Sequence, residues 1–481
     1  MLEKRASGIL MHVTSLPSDY SVGTLGRSAY SFVDFLSEGG FSYWQVLPLC
    51  MTDECASPYK SAGYYSANPY LIDLEILHGS GLITSSELES ARERAPYVAE
   101  YDRLSEERLP LLFRAAGRVR DRDAVRDFLD IHPTIASLAR YLALRDKNNG
   151  APFREWRDSE PDEDRLFAWQ FIQYEFHRQW QLLKEYANRM GVYIIGDMPI
   201  YVAYESADVW ASPECFLLDR DGLPLEVAGV PPDYFSEDGQ LWGNPLYDFE
   251  YMKMDGYLFW KSRIDYALTM FDGVRIDHFR AFDEYYSIPR DAVSAREGRW
   301  MPGPARSIID KIREWARDKL IIAEDLGDIT DSVRELLEYS TFPGMRVAQF
   351  GFLSSGESIH RPHLFPENSV AYTGTHDNNT LLGYVWELDP DTRGRLFEYM
   401  GIRHDDWSAA CLDIISVLLR SPSRLVIIPI QDILGFGSDT RMNTPGRSDG
   451  NWGFRITEDN LRELSENSGR WKRLNTLFGR K

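Results

Sequence analysis

Eight short runs rich in valine, isoleucine and leucine, each followed by polar or charged residues, constrain the fold of this 481-residue chain more than any other feature. Apolar runs of this length are typical of strands buried on both faces, as in parallel sheets. Helical patterns lie between several of them, and the clearest is Arg27–Glu38. The predicted strands are Gly8–Val13, Tyr43–Leu49, Val192–Pro199, Gly273–Phe279, Leu320–Leu326, Met345–Phe352, Ser369–Thr375 and Arg424–Ile430.

Eight parallel strands that alternate with helices predict the α/β class and a (β/α)8 TIM barrel. The spacing is uneven, because about 140 residues separate the second and third strands and about 70 separate the third and fourth. Both stretches are too long for one crossover, so we expect large inserted subdomains after strands 2 and 3. The expected organisation is one catalytic barrel over residues 1–481, with a mainly helical insertion at 51–190 and a second insertion at 201–262.

The charge of the chain argues against two classes of partner. Its 53 basic and 74 acidic residues leave a net charge of −21, and the pI is near 4.9. Such a surface repels phosphate backbones and anionic lipid heads, so we expect no nucleic-acid partner and no membrane partner. The four cysteines are too few for a disulfide framework and the start of the chain lacks an apolar signal region, which together predict a cytoplasmic protein with free thiols.

Carboxylates follow several of the predicted strands, where a barrel of this class places its catalytic residues. The fourth run ends in Arg275, Ile276 and Asp277, and the alternation of a strand puts the two charged residues on one face. Glu324 lies near the end of the fifth run, Asp377 just after the seventh, and Asp197 near the end of the third. A single acid there is commonly a strand-end cap or an ion-pair partner, whereas three converging acids beside an arginine indicate a catalytic site.

Paired carboxylates in a chain with 13% aromatic residues suit glycosidic chemistry, because flat rings bind the apolar faces of sugars. We expect Arg275 to keep Asp277 ionised and the neighbouring acids to push Glu324 towards its protonated form. Two histidines flank this cluster, His278 and His376. We interpret His278 as a structural hydrogen-bonding residue, and His376 as a candidate ligand of sugar hydroxyls.

The chain resembles the amylomaltases, the 4-α-glucanotransferases or disproportionating enzymes of glycoside hydrolase family 77. The resemblance covers almost the whole sequence, and its most specific parts are the Pro-Pro-Asp-Tyr-Phe and Gly-Gln-Leu-Trp-Gly-Asn-Pro stretches. The matching segments are Ser7–Leu10, Thr14–Pro17, Trp44–Leu49, Ser57–Tyr59, Asn68–Pro69, Gly196–Val202, Gly229–Phe235 and Gly239–Pro245. The segment at residues 50–56 departs from the family pattern, and so do Tyr384 and Phe454, where a tryptophan is usual.

The resemblance implies a role for each matching residue. Asp277 would be the nucleophile, Glu324 the general acid/base, Asp377 the transition-state stabiliser, and Arg275 the residue that positions Asp277. The glucose under attack would be held by Tyr59, Asp197 and His376. A loop carrying Gln240, Trp242 and Asn244 would cover the site beside the scissile bond. The family also lacks a separate C-terminal β-domain.

The implied reaction transfers a segment of a 1,4-α-glucan to the 4-hydroxyl of an acceptor, by a retaining double displacement through a glycosyl-enzyme on Asp277. The implied partners are maltodextrin donors and acceptors together with glucose or maltose; we expect neither a cofactor nor a metal. Three alternatives stay open at this point. They are an α-amylase-type hydrolase on the same barrel, a non-catalytic glucan-binding protein, and a metal enzyme that uses the clustered acids and histidines.

Overall fold

A computed structural model describes residues 4–232, 238–353 and 356–480. Its strands form a closed parallel barrel and a separate antiparallel sheet. Within the described ranges the strands are β1 (Ala6–Leu10), β2 (Tyr43–Gln45), β3 (Tyr193–Met198), β4 (Glu226–Val230), β5 (Gln240–Pro245), β6 (Gly273–Ile276), β7 (Glu284–Pro289), β8 (Arg299–Pro302), β9 (Leu320–Ala323), β10 (Gly344–Val347), β11 (Ser369–Tyr372) and β12 (Leu425–Pro429).

Helices surround the barrel and fill the long connections. Short 3₁₀ turns lie between many of them. The α-helices of the described ranges are α1 (Arg27–Glu38), α2 (Leu74–Gly79), α3 (Ser85–Ser90), α4 (Tyr101–Arg103), α5 (Leu109–Ala116), α6 (Asp123–Ile131), α7 (Pro133–Lys147), α8 (Glu163–Arg189), α9 (Ala207–Ala211), α10 (Phe249–Met254), α11 (Leu258–Met270), α12 (Arg306–Ala316), α13 (Asp331–Ser340), α14 (Leu381–Glu387), α15 (Pro390–Met400), α16 (Trp407–Arg420), α17 (Ile430–Leu434), α18 (Glu458–Glu466) and α19 (Ser468–Leu477).

The barrel confirms the predicted (β/α)8 fold. Its strands follow one another in the order β1, β2, β3, β6, β9, β10, β11 and β12, and β12 pairs with β1 to close the ring. All of these pairings are parallel. Each of the eight predicted runs contains or overlaps one barrel strand, but the ladders end earlier than the apolar runs do. The three carboxylate candidates Asp277, Glu324 and Asp377 therefore lie in rim loops beyond the last ladder residues, whereas Arg275 is part of β6.

The core between barrel and helices is aromatic, and its tryptophans also satisfy backbone groups. Trp44 is fully buried on β2, packs edge-on against Phe32 of α1, and donates its indole N–H to the carbonyl of Met11 at 2.7 Å. Trp180 of α8 donates in the same way to the carbonyl of Met270 at 2.9 Å. These bonds tie helices and loops to the barrel at defined positions, since a buried indole N–H is costly when left unpaired.

The connections after the second and third barrel strands contain most of the structure outside the barrel. Helices α2–α8 lie between β2 and β3, while α9, β4, β5, α10 and α11 lie between β3 and β6. A feature that the sequence analysis missed is that β4 and β5 pair with β7 and β8, which follow the fourth barrel strand, in a four-stranded antiparallel sheet. The proposed division at 51–190 and 201–262 stays a prediction, and Asp233–Phe235, which carries part of the family resemblance, lies outside the described residues.

Arg480, near the C-terminal end of the described residues, binds the start of β1 and the segment before β12. After β12 the described residues contain α17, α18 and α19 and no further strand. Arg480 is fully buried and donates to the carbonyl oxygens of Ala6 and Ser423, both at 2.9 Å. None of the described helices has the length and apolar character that crossing a bilayer requires.

Two glycines allow a direct test of the barrel packing. A Cβ added to Gly8 of β1 would lie 2.5 Å from the carbonyl oxygen of Tyr43 on β2, so Gly8→Ala must push the two strands apart. We expect it to destabilise the protein by about 2 kcal/mol or more. Gly394, in the interior of α15, has open space around its Cα, and Gly394→Ala should instead stabilise by about 0.5–1 kcal/mol. Thermal melts of both variants beside the wild type check this, and an unchanged Gly8→Ala melt would contradict the packing.

Candidate active site

The predicted site residues converge on one cleft at the carboxyl ends of the barrel strands, with a volume of about 590 Å³. Asp197 differs from the others because its side chain is fully buried behind the cleft wall. The remaining predicted residues all line the cleft, namely Tyr59, Gln240, Trp242, Asn244, Arg275, Asp277, Glu324, His376 and Asp377. Five separate segments of the chain therefore contribute to one surface.

Arg275 links two of the acids. The pairing of β3 with β6 places Asp197 directly opposite Arg275. One guanidinium nitrogen of Arg275 lies 2.8 and 2.7 Å from the two carboxylate oxygens of Asp197, and another lies 2.9 Å from Oδ1 of Asp277. The guanidinium is only 5% exposed, so this ion-pair chain is held in a low-dielectric environment where its geometry is well defined.

Tyr59 and His376 form an aromatic wall beside Asp197. The hydroxyl of Tyr59 donates to Oδ2 of Asp197 at 2.6 Å, and its ring stacks nearly parallel on the ring of His376 at 5.2 Å. Trp452 adds a third ring, 5.8 Å from Tyr59 and 6.0 Å from His376. The buried carboxylate of Asp197 therefore holds the Tyr59 ring in place, and the other two rings pack beside it. Such a set of flat rings suits the recognition of a sugar.

Glu324 is fixed by the backbone of both neighbouring loops. Its Oε2 accepts the backbone N–H of His278 at 2.7 Å, and its Oε1 accepts the backbone N–H of Leu326 at 2.8 Å. Because His278 directly follows Asp277 in the chain, the first of these bonds links the rim loop of β6 to the rim loop of β9. The position of Glu324 relative to Asp277 is thus set by main-chain contacts.

Burial raises the pKa of both central acids. The pKa of Glu324 rises to about 7 because of desolvation, with a further increase from the charge of Asp277, while Arg275 opposes the rise. Desolvation also raises the pKa of Asp277 to about 6, against the opposing charge of Arg275. Arg275 lowers the pKa of both acids against the larger effect of burial, and it does not keep the pKa of Asp277 in its usual range. Burial, more than neighbouring acids, is the main cause at Glu324.

Asp377 is held by a loop that the sequence analysis did not select. Asn443 donates its amide N–H to Oδ1 of Asp377 at 2.6 Å, and the guanidinium of Arg441 donates to the backbone carbonyl of Asp377. The ring of His376 lies 3.3 Å from the other carboxylate oxygen. Asn443, Arg447 and Trp452 all line the cleft. They lie in the connection after β12, in the long segment between α17 and α18. The rule that catalytic residues lie in the connections after barrel strands would have pointed to this connection.

Three residues of the strand β5, Gln240, Trp242 and Asn244, form another part of the cleft wall. Gln240 accepts the indole N–H of Trp242 at 3.1 Å, and Asn244 donates to the carbonyl of Val202 at 2.8 Å. The Trp242 ring meets the ring of His278 edge-on at 5.1 Å. These contacts bring the segment after the third barrel strand over the rim loop that carries Asp277.

The segment that departs from the family pattern also reaches the cleft. Asp53 and Cys55 line its rim, and Oδ1 of Asp53 accepts the backbone N–H groups of Cys55 and Ser57 at 2.9 and 2.8 Å. The two other departures, Tyr384 and Phe454, are not among the residues that line the cleft. We therefore expect residues 50–56, rather than those two aromatic positions, to alter the length of substrate that the cleft prefers.

Comparison with known proteins identifies what this chain is similar to. A family model described as 4-alpha-glucanotransferase matches residues 11–461. Curated 4-alpha-glucanotransferases of Streptococcus pneumoniae and Aquifex aeolicus are 41% and 42% identical, and the alignments cover 96% and 95% of this chain and 95% and 96% of those proteins. Among solved structures, an amylomaltase from Streptococcus agalactiae in complex with acarbose superposes with a TM-score of 0.94 at 38% identity, covering 99% of this chain and all of that one.

The raised pKa of Glu324 makes a prediction about stability. The folded protein binds a proton at this group more tightly than the unfolded chain does, so its contribution to stability is lost as the pH rises from about 4.5 to about 7. Glu324→Gln removes this titration. The stability of the variant should therefore fall less between pH 4.5 and pH 8 than that of the wild type, by on the order of 2 kcal/mol.

Melts of both proteins at the two pH values measure this difference. The comparison uses the difference in stability between the two pH values. A hydrogen bond that the introduced glutamine cannot make is lost at both pH values and therefore does not affect this difference. Glu466→Gln, at an exposed position of α18, is the matched control and should follow the wild type. Parallel pH profiles for Glu324→Gln and wild type would show that burial does not raise the pKa of Glu324.

Proposed function

The chain belongs to the 4-alpha-glucanotransferase family and is a hexosyl-transferring enzyme of that activity, and from this premise we propose that it works by a retaining double displacement in the cleft described above. The donor would be a maltodextrin or longer 1,4-α-glucan, and the acceptor glucose, maltose or another glucan. An amylomaltase that superposes closely is known in complex with acarbose, which supports assigning the cleft to a glucan substrate. The observation that carries the proposal is the Asp197–Arg275–Asp277 ion-pair chain beside the backbone-held Glu324.

Asp277 is the proposed nucleophile. The carboxylate would attack C1 of a donor glucose unit while the bond from C1 to the departing glycosidic oxygen breaks. Arg275 lies 2.9 Å from Oδ1 and orients the carboxylate, leaving the second oxygen for the attack. The product of this half-reaction is a glycosyl ester of Asp277 with inverted configuration at C1, and the two carboxyl groups of a retaining pair are typically about 5–5.5 Å apart.

Glu324 is the proposed general acid and base. A pKa near 7 keeps a substantial fraction protonated near neutral pH, so the carboxyl can give its proton to the departing oxygen. In the second half-reaction the resulting carboxylate takes the proton from the 4-hydroxyl of the acceptor. That oxygen then attacks C1, Asp277 leaves as a carboxylate, and the net configuration at C1 is retained.

The other residues would bind and stabilise the reacting glucose unit. Asp377, with Asn443 and His376 on either side, would accept hydrogen bonds from sugar hydroxyls and favour the positive charge that develops on the ring. Tyr59 and His376 would pack on a sugar face, while Asp197 acts from behind by holding both Tyr59 and Arg275.

The choice between transfer and hydrolysis depends on what attacks the glycosyl-enzyme. Trp242 and Gln240 on β5 lie over the rim loop of Asp277, where they would hold an acceptor sugar and limit the access of water. With maltotriose as sole substrate, transfer gives glucose and longer maltodextrins with no net gain in reducing ends, while hydrolysis raises reducing ends in step with substrate loss.

The sharpest variant for this proposal is Asp277→Asn, which removes the nucleophilic charge with little change in shape. We expect it to lower the disproportionation of maltotriose by at least about 10³-fold, because no covalent intermediate can form. A chromatographic product ladder and a reducing-end assay measure the change. Asp265→Asn, at an ion-paired surface aspartate of α11, is the control and should keep wild-type rates. Near-normal turnover by a folded Asp277→Asn variant would refute the assignment of the nucleophile.

A further inference from the structure

A pair of tryptophans lies on the surface outside the catalytic cleft. Trp386 of α14 is 69% exposed, more than any other aromatic residue in the described ranges. Its indole meets that of Trp407, the first residue of α16, edge-on with the ring centres 4.7 Å apart. Single exposed leucines or valines need no explanation, but a large flat ring left in water at a fixed position commonly marks a binding surface.

The exposed indole is held in position by its neighbours. The guanidinium of Arg393, on α15, lies over the Trp407 ring at 4.7 Å from its centre. Arg393 also donates to the carbonyl of Leu388 at 2.9 Å, just after the end of α14. Three helices therefore fix the two rings relative to each other. A ring that is already ordered loses little conformational entropy when a ligand packs on it.

A short chain of hydrogen bonds joins this pair to the edge of the cleft. Asn378 lines the cleft, and the amide of its neighbour Asn379 donates to Oγ of Ser438 at 3.0 Å. Ser438 in turn donates to Oε1 of Glu387 at 3.3 Å, and Glu387 directly follows Trp386. The helix α14 has 7 residues and is therefore about 10 Å long. The exposed indole thus lies one short helix away from the catalytic rim.

The chemistry of this surface fits a neutral sugar chain better than a protein or an anion. The exposed carboxylate of Glu387, beside the indole in sequence, can accept hydrogen bonds from hydroxyl groups while a sugar face packs on the ring. A net charge of −21 repels anionic ligands but not a neutral polyol. Two rings are far smaller than the area of about 800 Å² that each partner buries in a stable protein contact. The substrate of this enzyme family is itself a neutral polymer with many such faces.

We propose that Trp386 is a second glucan-binding platform outside the cleft, on which a glucose unit of a long 1,4-α-glucan packs, with Trp407 and Arg393 holding the indole. The platform would hold a distant part of a chain whose reacting bond lies in the cleft. Binding at both places raises the effective concentration of long chains at the cleft, while short oligosaccharides gain nothing. The inference rests on the cleft taking a glucan but not on the roles proposed for Asp277 and Glu324.

The first test compares a long and a short substrate. With glucose as a fixed acceptor, Trp386→Ala should raise the KM for long-chain amylose about five- to tenfold, because one packed sugar face is lost. Its kcat with amylose should stay unchanged. With maltotriose, which is too short to reach from the cleft to the platform, both kcat and KM should equal those of the wild type. Trp386→Phe keeps a smaller flat ring and should give an intermediate KM for amylose.

The second test measures binding directly, by native electrophoresis through gels with and without amylose. Amylose should retard the wild type more than it retards Trp386→Ala, and Trp407→Ala, which removes the support of the indole, should resemble Trp386→Ala. Tyr193→Ala is the matched control, since it removes an exposed aromatic ring at the first residue of β3, at the end of the barrel opposite the cleft. It should migrate as the wild type does. Melting temperatures identify any misfolded variant, and Trp386→Phe then carries the comparison.

Three results would overturn the proposal. An unchanged KM for amylose together with unchanged retardation in folded Trp386→Ala would show that no glucan binds there. Equal losses with amylose and with maltotriose would show that the indole acts on the cleft through the fold. A lower molecular mass of Trp386→Ala in solution, with unchanged amylose binding, would make the pair a contact between copies of this chain. The proposed function fails separately, if the wild type hydrolyses maltotriose instead of disproportionating it, whatever the Trp386 variants do.

Discussion

The buried guanidinium of Arg275 is the interaction on which the site depends. It pairs with Asp197 of the neighbouring strand β3 at 2.7 Å, and with Asp277 on the rim of its own strand β6 at 2.9 Å. Removing any one member would leave an uncompensated charge in a low-dielectric region, which is costly. The chain of charges fixes the direction of the Asp277 carboxylate, and through Tyr59 it also fixes the aromatic wall that faces the cleft.

The different roles proposed for the two central acids agree with their different surroundings. Both are buried, which raises the pKa of each, but Asp277 contacts Arg275 directly, whereas Glu324 contacts backbone N–H groups. A full positive charge at 2.9 Å stabilises an ionised carboxylate more than two neutral donors do. These surroundings support the proposed roles of Asp277 as the nucleophile and Glu324 as the proton donor.

The fold was predictable because strands of a parallel barrel are apolar on both faces. All eight runs contain or overlap barrel strands, and α1 has the predicted bounds. The strand ends were less predictable, since apolar residues continue beyond the ladder; Phe279 and Phe352, for example, lie buried in 3₁₀ turns after β6 and β10. The antiparallel sheet was not predicted, because β7 and β8 lie in the connection after the fourth barrel strand, where the spacing of the apolar runs indicates no insertion.

The convergence of Asp277, Glu324 and Asp377 on one cleft was predictable because each of these acids lies at the carboxyl end of a barrel strand or in the loop after it. The contribution of polar residues in long irregular loops to the cleft was not predictable. Asn443 has no periodic pattern around it, and only the folded structure places its amide 2.6 Å from Asp377. Nε2 of His278 is buried and has no hydrogen-bond partner in the part of the chain that the structure describes, and the sequence does not reveal this either.

The claim that most needs a direct measurement is that a sugar becomes covalently attached to Asp277. Glu324→Gln should still form this ester from α-maltotriosyl fluoride, because fluoride needs no acid to depart, but should hydrolyse or transfer it slowly. Mass spectrometry of the acid-quenched, digested variant should then show one maltotriosyl group on the peptide that contains Asp277. A burst of fluoride without any adduct, or an adduct on a different residue, would contradict the mechanism.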